Sequence, residues 1–310
     1  MTELILVAQQ VFILFALMGV GAALRWTKLV DSKSIDGMVN LLILIVTPCL
    51  IIDCFQRPFE PAMLAGLLTG LLIVLAWHAA MIGVARFAVR ARDVNVRRPM
   101  LLAAVFSNAG FMGVPLEQAV LGSEGVFFGV LYVAVFNLFI WSWGVHVMKG
   151  GGRGSANYVK MFVNPGTIGI ALGLPLFLSS WRLPTVLAEP VHHLANLNTP
   201  LAMVVIGYSL AGARLGRVLR LRVAYVAAGL RLVVFPLVLI AVLYPFRAWL
   251  DHRLMLAIVI AASAPVAALV SMFAVKFDRD VDASVAVVCG STLLSILTMP
   301  PIIALALAVF

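Results

Sequence analysis

The chain has 310 residues, of which 63% are hydrophobic and only 11% charged, with a formal net charge of +9. Soluble domains carry roughly 25% charged residues, so this composition excludes an ordinary soluble enzyme or binding domain and defines a polytopic membrane protein. The positive balance alone would also suit nucleic acid or an acidic partner; the placement of the charges decides otherwise.

Apolar runs near the ~20 residues that cross a bilayer recur from end to end. In chain order they predict ten helices, at 4–24, 36–56, 62–85, 99–120, 125–147, 163–179, 190–212, 223–245, 254–275 and 283–308. The first follows Met1-Thr2-Glu3, which lacks the basic start of a secretory signal, so it is expected to remain as a helix. The second carries Thr47-Pro48 at its middle. It also holds Cys49 and Cys54, which with Cys289 are expected as buried small hydrophobes; neither a disulfide framework nor a metal site is implied. The fourth contains FSNAGFMGVPLEQAVLG (106–122), with Asn108, Gly110, Gly113 and Pro115 near its middle. Pro115 removes an intrahelical hydrogen bond and clashes with the carbonyl of Phe111, so an interruption is predicted in the Gly110–Gly113 section. The seventh carries Thr199-Pro200. The ninth contains SAPVAALVS (263–271), which places Ser263 and Pro265 at the expected equivalent depth.

The distribution of basic residues tests this division. Odd-numbered connections hold Arg25, Lys28 and Lys33; Arg86, Arg90, Arg92, Arg97 and Arg98; Lys149, Arg153 and Lys160; Arg214, Arg217, Arg220 and Arg222; and Lys276 and Arg279. Even-numbered connections hold only Arg57, Arg182, Arg247 and Arg253, and Arg231 falls inside the eighth span. The basic connections are therefore expected in the cytoplasm and both termini outside. The net charge is a topology signal, and no nucleic-acid partner is needed.

The polar stretch KGGGRGSANYVK, at 149–160, reads as a flexible linker between a first five-helix repeat (1–148) and a second (161–310). Thr47-Pro48 and Thr199-Pro200 fall in matching spans, as do Pro115 and Pro265. With an odd number of crossings per half, the second half enters from the opposite face. The fold class expected is an all-α membrane protein of two inverted repeats. Non-helical backbone at mid-membrane survives only against protein or a watery cavity. Two interrupted helices meeting there would direct half-helix ends into one cavity, where their N-termini favour a carboxylate. The Asn108 amide can donate to the same group. The stretch is read as half of a substrate site.

FSNAGFMGVPLEQAVLG resembles the fourth-helix signature of the auxin efflux carrier family. NTPLAMVVIGYSLAG (198–212) is similar to its seventh helix, and the segment from SAPVAALVS to TMPPI (263–302) to its ninth and tenth. The resemblance spans essentially the whole chain. It implies a fold shared with bile-acid symporter-like proteins: helices one, two, six and seven as a scaffold, the rest as a moving transport domain, and helices four and nine crossing at the substrate. Carried over by motif, the site residues are Asn108, Pro115 and Pro265, with Asn137 on the fifth span nearby. Bacterial members resemble carriers of malate, malonate and other organic anions; plant members carry an indole carboxylate, and their long central loop is absent here. Dimerisation through the scaffold is implied only at this level. In this chain the Asn of the first crossover is matched by Ser263-Ala264 in the second, so the site is expected to be asymmetric.

Other polar residues in the spans complete the reading. Asp53 and Glu117 lie toward the outer ends of spans two and four. Either they are buried and carry a coupling proton, or they sit solvated at the interface, which is the expectation; Gln118 suits either. No organic cofactor is expected, only a coupling H+ or Na+. Asn137, with Ser291 and Thr292 in span ten, belongs either to the cavity or to helix–helix hydrogen bonding. His78 is expected as hydrogen-bonded packing, and Trp141, Trp143, Trp181 and Trp249 as interfacial anchors. Arg231 either snorkels to the cytoplasmic surface or serves as a counter-ion. There is no H-E-x-x-H, GYSLAG (207–212) lacks the G-x-S-x-G spacing, and no span holds paired acids. An enzyme is not expected. A secondary carrier of small organic anions working by an elevator-like motion is; a sodium-coupled symporter of a larger acidic solute, or an anion sensor that moves nothing, are the alternatives.

Overall fold

The computed structural model describes residues 2–150, 165–212 and 221–310. Most of the linker expected at 149–160 lies outside the described residues, as do Arg214, Arg217 and Arg220. The helices in chain order are α1 (Thr2–Trp26), α2 (Ser32–Phe55), α3 (Pro61–Ala88), α4 (Val94–Val105), α5 (Ala109–Lys149), α6 (Pro165–Leu178), α7 (Thr185–Ala211), α8 (Arg222–Phe246), α9 (His252–Ser263), α10 (Leu269–Lys276) and α11 (Val281–Val309). Seven of them (α1, α2, α3, α5, α7, α8 and α11) are long and apolar enough to cross a membrane, and α6 and α9 are shorter apolar helices. Among the described residues no strand forms; one isolated antiparallel bridge joins Ser107 to Val266.

Acidic residues that are few in this chain are used where helices begin. Asp31, Asp93, Asp251 and Asp280 each accept a backbone N–H of the helix that follows, from Ser34, Asn95, Arg253 and Ala283 at 2.8–2.9 Å. Each satisfies donors that a helix start leaves open. At the other end of α5, Gly150 takes a left-handed conformation (φ 97°) and closes the helix on His146 and Val147.

The long run α5 is not one straight rod. Gly122 departs from helical geometry (φ 69°, ψ −159°), a conformation that suits glycine. A methyl group on Gly129 would fall onto the Glu117 carboxyl group, although a straight helix would hold the two residues about 18 Å apart. The run therefore folds back at Gly122, and the spans expected at 99–120 and 125–147 meet there with hardly any loop.

The fourth and ninth predicted spans are both interrupted. The first break differs in position from the expectation. It falls at Phe106–Asn108, between α4 and α5, well before Pro115. Beyond it, Ala109–Gly113 winds as a wide π turn, in which the Val114 N–H reaches back to the Ala109 carbonyl. Pro115 then sits in the first turn of the regular helix, where its missing donor matters least. The second break, between α9 and α10, contains Pro265 itself. The two prolines are thus not equivalent in their position relative to the breaks.

Helices α1, α2, α6 and α7 pack chiefly on one another, while α3, α4, α5 and α8–α11 form the other body. The α1–α7 contact is a close backbone approach: a methyl on Gly207 would strike the backbone of Met18, and one on Gly21 the Val204 carbonyl. Small residues serve this purpose in membrane helices. Phe12, Leu72, Val186 and Leu297 are exposed on outward faces, as a lipid-facing surface requires. Trp181 and Trp249 are likewise exposed. Trp141 and Trp143 are half-buried; they pack on Phe273 and Phe106, with Lys276 and Arg86 beside their rings.

Candidate functional site

The two breaks meet. Asn108 donates its backbone N–H to the Pro265 carbonyl at 2.6 Å, and Ala267 donates to the Phe106 carbonyl at 3.0 Å. Two short extended segments thereby satisfy each other, in the way that irregular backbone inside a membrane must be satisfied. Ser291 of α11 completes the joint: its hydroxyl accepts the Val266 N–H at 3.1 Å and donates to Val288 at 2.9 Å. Ser291 is buried, so it holds the backbone of the second break in place.

Each break leaves helix ends of opposite sign. On one side are the last carbonyls of α4 and α9; on the other are the first N–H groups of α5 and α10. In α5 the hydrogen bonding begins with Met112 and Gly113, which donate to the Asn108 carbonyl at 2.9 and 3.2 Å. The N–H groups of Ala109, Gly110 and Phe111 precede that first closed turn and form its open, partly positive start.

The negative ends converge on Arg231, a residue that sequence reasoning left outside the site. Its side chain is fully buried. Nη1 donates to the Val105 carbonyl at 2.8 Å, and Nη2 donates to the Ala262 carbonyl. Arg231 does not snorkel to a surface; its guanidinium is engaged by backbone carbonyls inside the protein. The available signal was its position as the one basic residue within a predicted span, since charges there are expensive and rarely idle.

The remaining predicted residues sort by position. Asn108 is nearly buried, and its side-chain amide makes no hydrogen bond among the described residues. Gly110 is half-buried beside open space, as a methyl built on it meets nothing within 4 Å. Pro115, Ser263 and Pro265 are buried, and the Ser263 hydroxyl is turned onto its own helix, at 2.8 Å from the Ile260 carbonyl. Asn137 donates to Val133 of its own helix at 2.9 Å; its neighbour Phe136 packs edge-on against Phe106, 5.4 Å between ring centres. Thr292 bonds the Val288 carbonyl. His78 is buried, as expected for packing: Nδ1 lies 2.9 Å from the Val74 carbonyl and the ring stacks on Phe139. Cys54 and Cys289 are buried and Cys49 is half-buried, all three as free thiols.

Asp53 and Glu117, treated alike from sequence, have different surroundings. Asp53 is partly exposed and pairs with His192 at 3.1 Å. It lines a cavity of about 610 Å3 with Arg57, Glu60, Glu124 and Arg253, where Arg57 donates to the Ser123 carbonyl and Glu124 pairs with Arg253. The solvated expectation fits Asp53. It does not fit Glu117, which is fully buried under Gly129 with no hydrogen-bond partner for either carboxyl oxygen among the described residues. The hairpin at Gly122 removes it from water. Gln118 is exposed, turned away from that pocket.

The apolar side of the crossover faces the other body. Met112, Leu116, Ile260 and Ala264 share a hydrophobic cluster with Val11, Leu14 and Met18 of α1 and Met203 of α7. The meeting point of the broken helices therefore lies where the two groups of helices touch.

A multi-pass helical membrane protein with interrupted helices bonded to each other in its interior is the class that fold and site define. The family model described as "Membrane transport protein" matches residues 6–303. The chain belongs to that family, the auxin efflux carrier family of the sequence resemblance. An uncharacterized transporter of Methanothermobacter thermautotrophicus is 31% identical over 207 residues, a match covering 65% of this chain and 65% of that relative.

Proposed function

We propose that the protein is a secondary active carrier of small organic anions, mono- or dicarboxylates of the malate or malonate kind, with the anion bound at the crossover. The observation that carries this is the set of groups gathered there. The open helix start at Ala109–Phe111 and the Asn108 amide, unbonded among the described residues, favour an anion, and Gly110 leaves space beside them. The buried Arg231 adds a positive charge at the other side of the same breaks. The carboxylate lies against Asn108 and the helix start, with Gly110 and Pro115 shaping the first wall, Pro265 and Ser263 the second, and Ser291 and Asn137 supporting from behind.

The architecture we propose around it is ten crossings in two inverted five-helix repeats, 1–148 and 161–310, joined by the linker at 149–160. The hairpin at Gly122 and the paired interruptions support that count. Both termini lie outside and the basic connections in the cytoplasm of a bacterial inner membrane, on the positive-inside pattern. The body formed by α3–α5 and α8–α11 moves against α1, α2, α6 and α7, which also offer the surface for a homodimer. Glu117 carries the coupling proton. Because an ionised, unpaired carboxylate is held out of water only at several kcal/mol, the buried group crosses the membrane with its proton.

Counterflow tests the transport reading. Purified protein in liposomes loaded with unlabelled malate or malonate is expected to accumulate the labelled anion transiently. Binding without flux would make the protein a sensor instead. Flux that requires sodium would favour the symport of a larger acidic solute.

A further inference from the structure

We propose that Arg231 is a resident cation: its guanidinium fills the place between two half-helix C-termini that an alkali cation would otherwise occupy, so the crossover operates without bound sodium. Half-helix C-termini and unwound carbonyls are the groups with which membrane carriers hold Na+. Here the last carbonyl of α4, Val105, and a last-turn carbonyl of α9, Ala262, are both taken by one guanidinium. A third contact comes from the Met81 sulfur at 3.6 Å. Val105 and Ala262 carry the partial negative charge of their helix ends, and the chain leaves the helix just beyond them, so intrahelical donors are missing.

Two further features separate this arrangement from ordinary packing. Arg231 forms no ion pair with a carboxylate among the described residues; its other neighbours are the Tyr132 hydroxyl and the Phe235 ring, 5.9 Å from the guanidinium carbon. An unpaired buried charge is strongly unfavourable, and the converging carbonyls are what the structure provides against it. The π turn Leu230–Val234 places the side chain, coming from a third helix, α8, between the two broken ones. Tied to the chain, this cation cannot dissociate, and its full positive charge stays at the C-terminal side of the two breaks whose other side is the proposed anion site. That assigns Arg231 a positioning and charge-setting role with no need for contact with substrate.

The inference rests on the proposed anion site for its transport consequence, but its first test does not. The thermal midpoint of the detergent-solubilised wild type is expected to be the same in NaCl, KCl and choline chloride at equal ionic strength. In Arg231→Ala the emptied carbonyl cage is expected to admit sodium, raising the midpoint by about 3 °C in NaCl over choline chloride. Arg231→Lys keeps a cation in place and is expected to restore sodium indifference. In liposomes, wild-type counterflow is expected to be equal in sodium and potassium, and Arg231→Ala flux to recover in part with sodium. Sodium stabilisation of the wild type, sodium-dependent wild-type flux, or an Arg231→Ala variant that folds and ignores sodium would each overturn the proposal. If the alanine variant does not fold, the wild-type comparison decides. Absence of any anion counterflow would instead count against the anion-carrier reading and leave the melting comparison standing.

Discussion

Asn108→Ala is expected to lower anion counterflow roughly 10- to 100-fold, the range for losing one hydrogen bond to a charged group, while the protein remains folded. The separation is expected because the residue's two functions use different atoms. Its backbone N–H bonds Pro265 and its carbonyl receives Met112 and Gly113; alanine retains all of these. Its side-chain amide has no hydrogen-bond partner among the described residues, so removing it leaves no partner stranded. Counterflow in liposomes, read beside the melting curve, checks both halves. Near-normal flux in a correctly folded variant would remove Asn108 from the site.

Glu117→Gln is expected to abolish accumulation driven by a proton gradient while leaving exchange of anion for anion. Glutamine matches the carboxyl in shape, and no hydrogen bond is lost because neither oxygen has a partner among the described residues. Folding should therefore be preserved. A glutamine cannot bind and release a proton, so an imposed pH gradient would no longer raise the internal anion above passive equilibration. The measurement is uptake with the gradient imposed in each direction, with and without a protonophore, set against counterflow without a gradient. Gradient-driven accumulation equal to wild type would assign coupling elsewhere. Loss of both modes would make Glu117 part of the transport path itself.

Much of the fold was legible because a bilayer imposes simple requirements. Apolar length marked the helices. Glycine, asparagine and proline marked the two spans that break. The exact break was less legible. Proline removes a donor locally, and the chain absorbs that loss by widening into the π turn Ala109–Gly113. The break at Phe106–Asn108 instead depends on bonds to Pro265 and Ala267, partners far away in sequence that periodicity does not encode.

Tertiary placement likewise separated residues that looked alike. Asp53 and Glu117 are both acids near a predicted span end. Only the turn at Gly122, which brings Gly129 over the second, buries it. Ser291 could be read as a cavity hydroxyl or as a helix–helix hydrogen bond, and only its placement shows that it holds the Val266 N–H. Arg231 was visible as an anomaly, but its partners are two main-chain carbonyls. Carbonyls are present at every position, so no residue type announces which ones lack a donor.

The central claim, that the anion binds where the broken helices meet, is tested most directly by Gly110→Cys in a background with Cys49, Cys54 and Cys289 replaced by serine. A side chain there has open space around it, so a maleimide reagent is expected to label it. The account predicts that a saturating transported anion slows this labelling markedly, while a non-transported anion does not. Labelling at an unchanged rate, in a variant that still exchanges the anion, would contradict it.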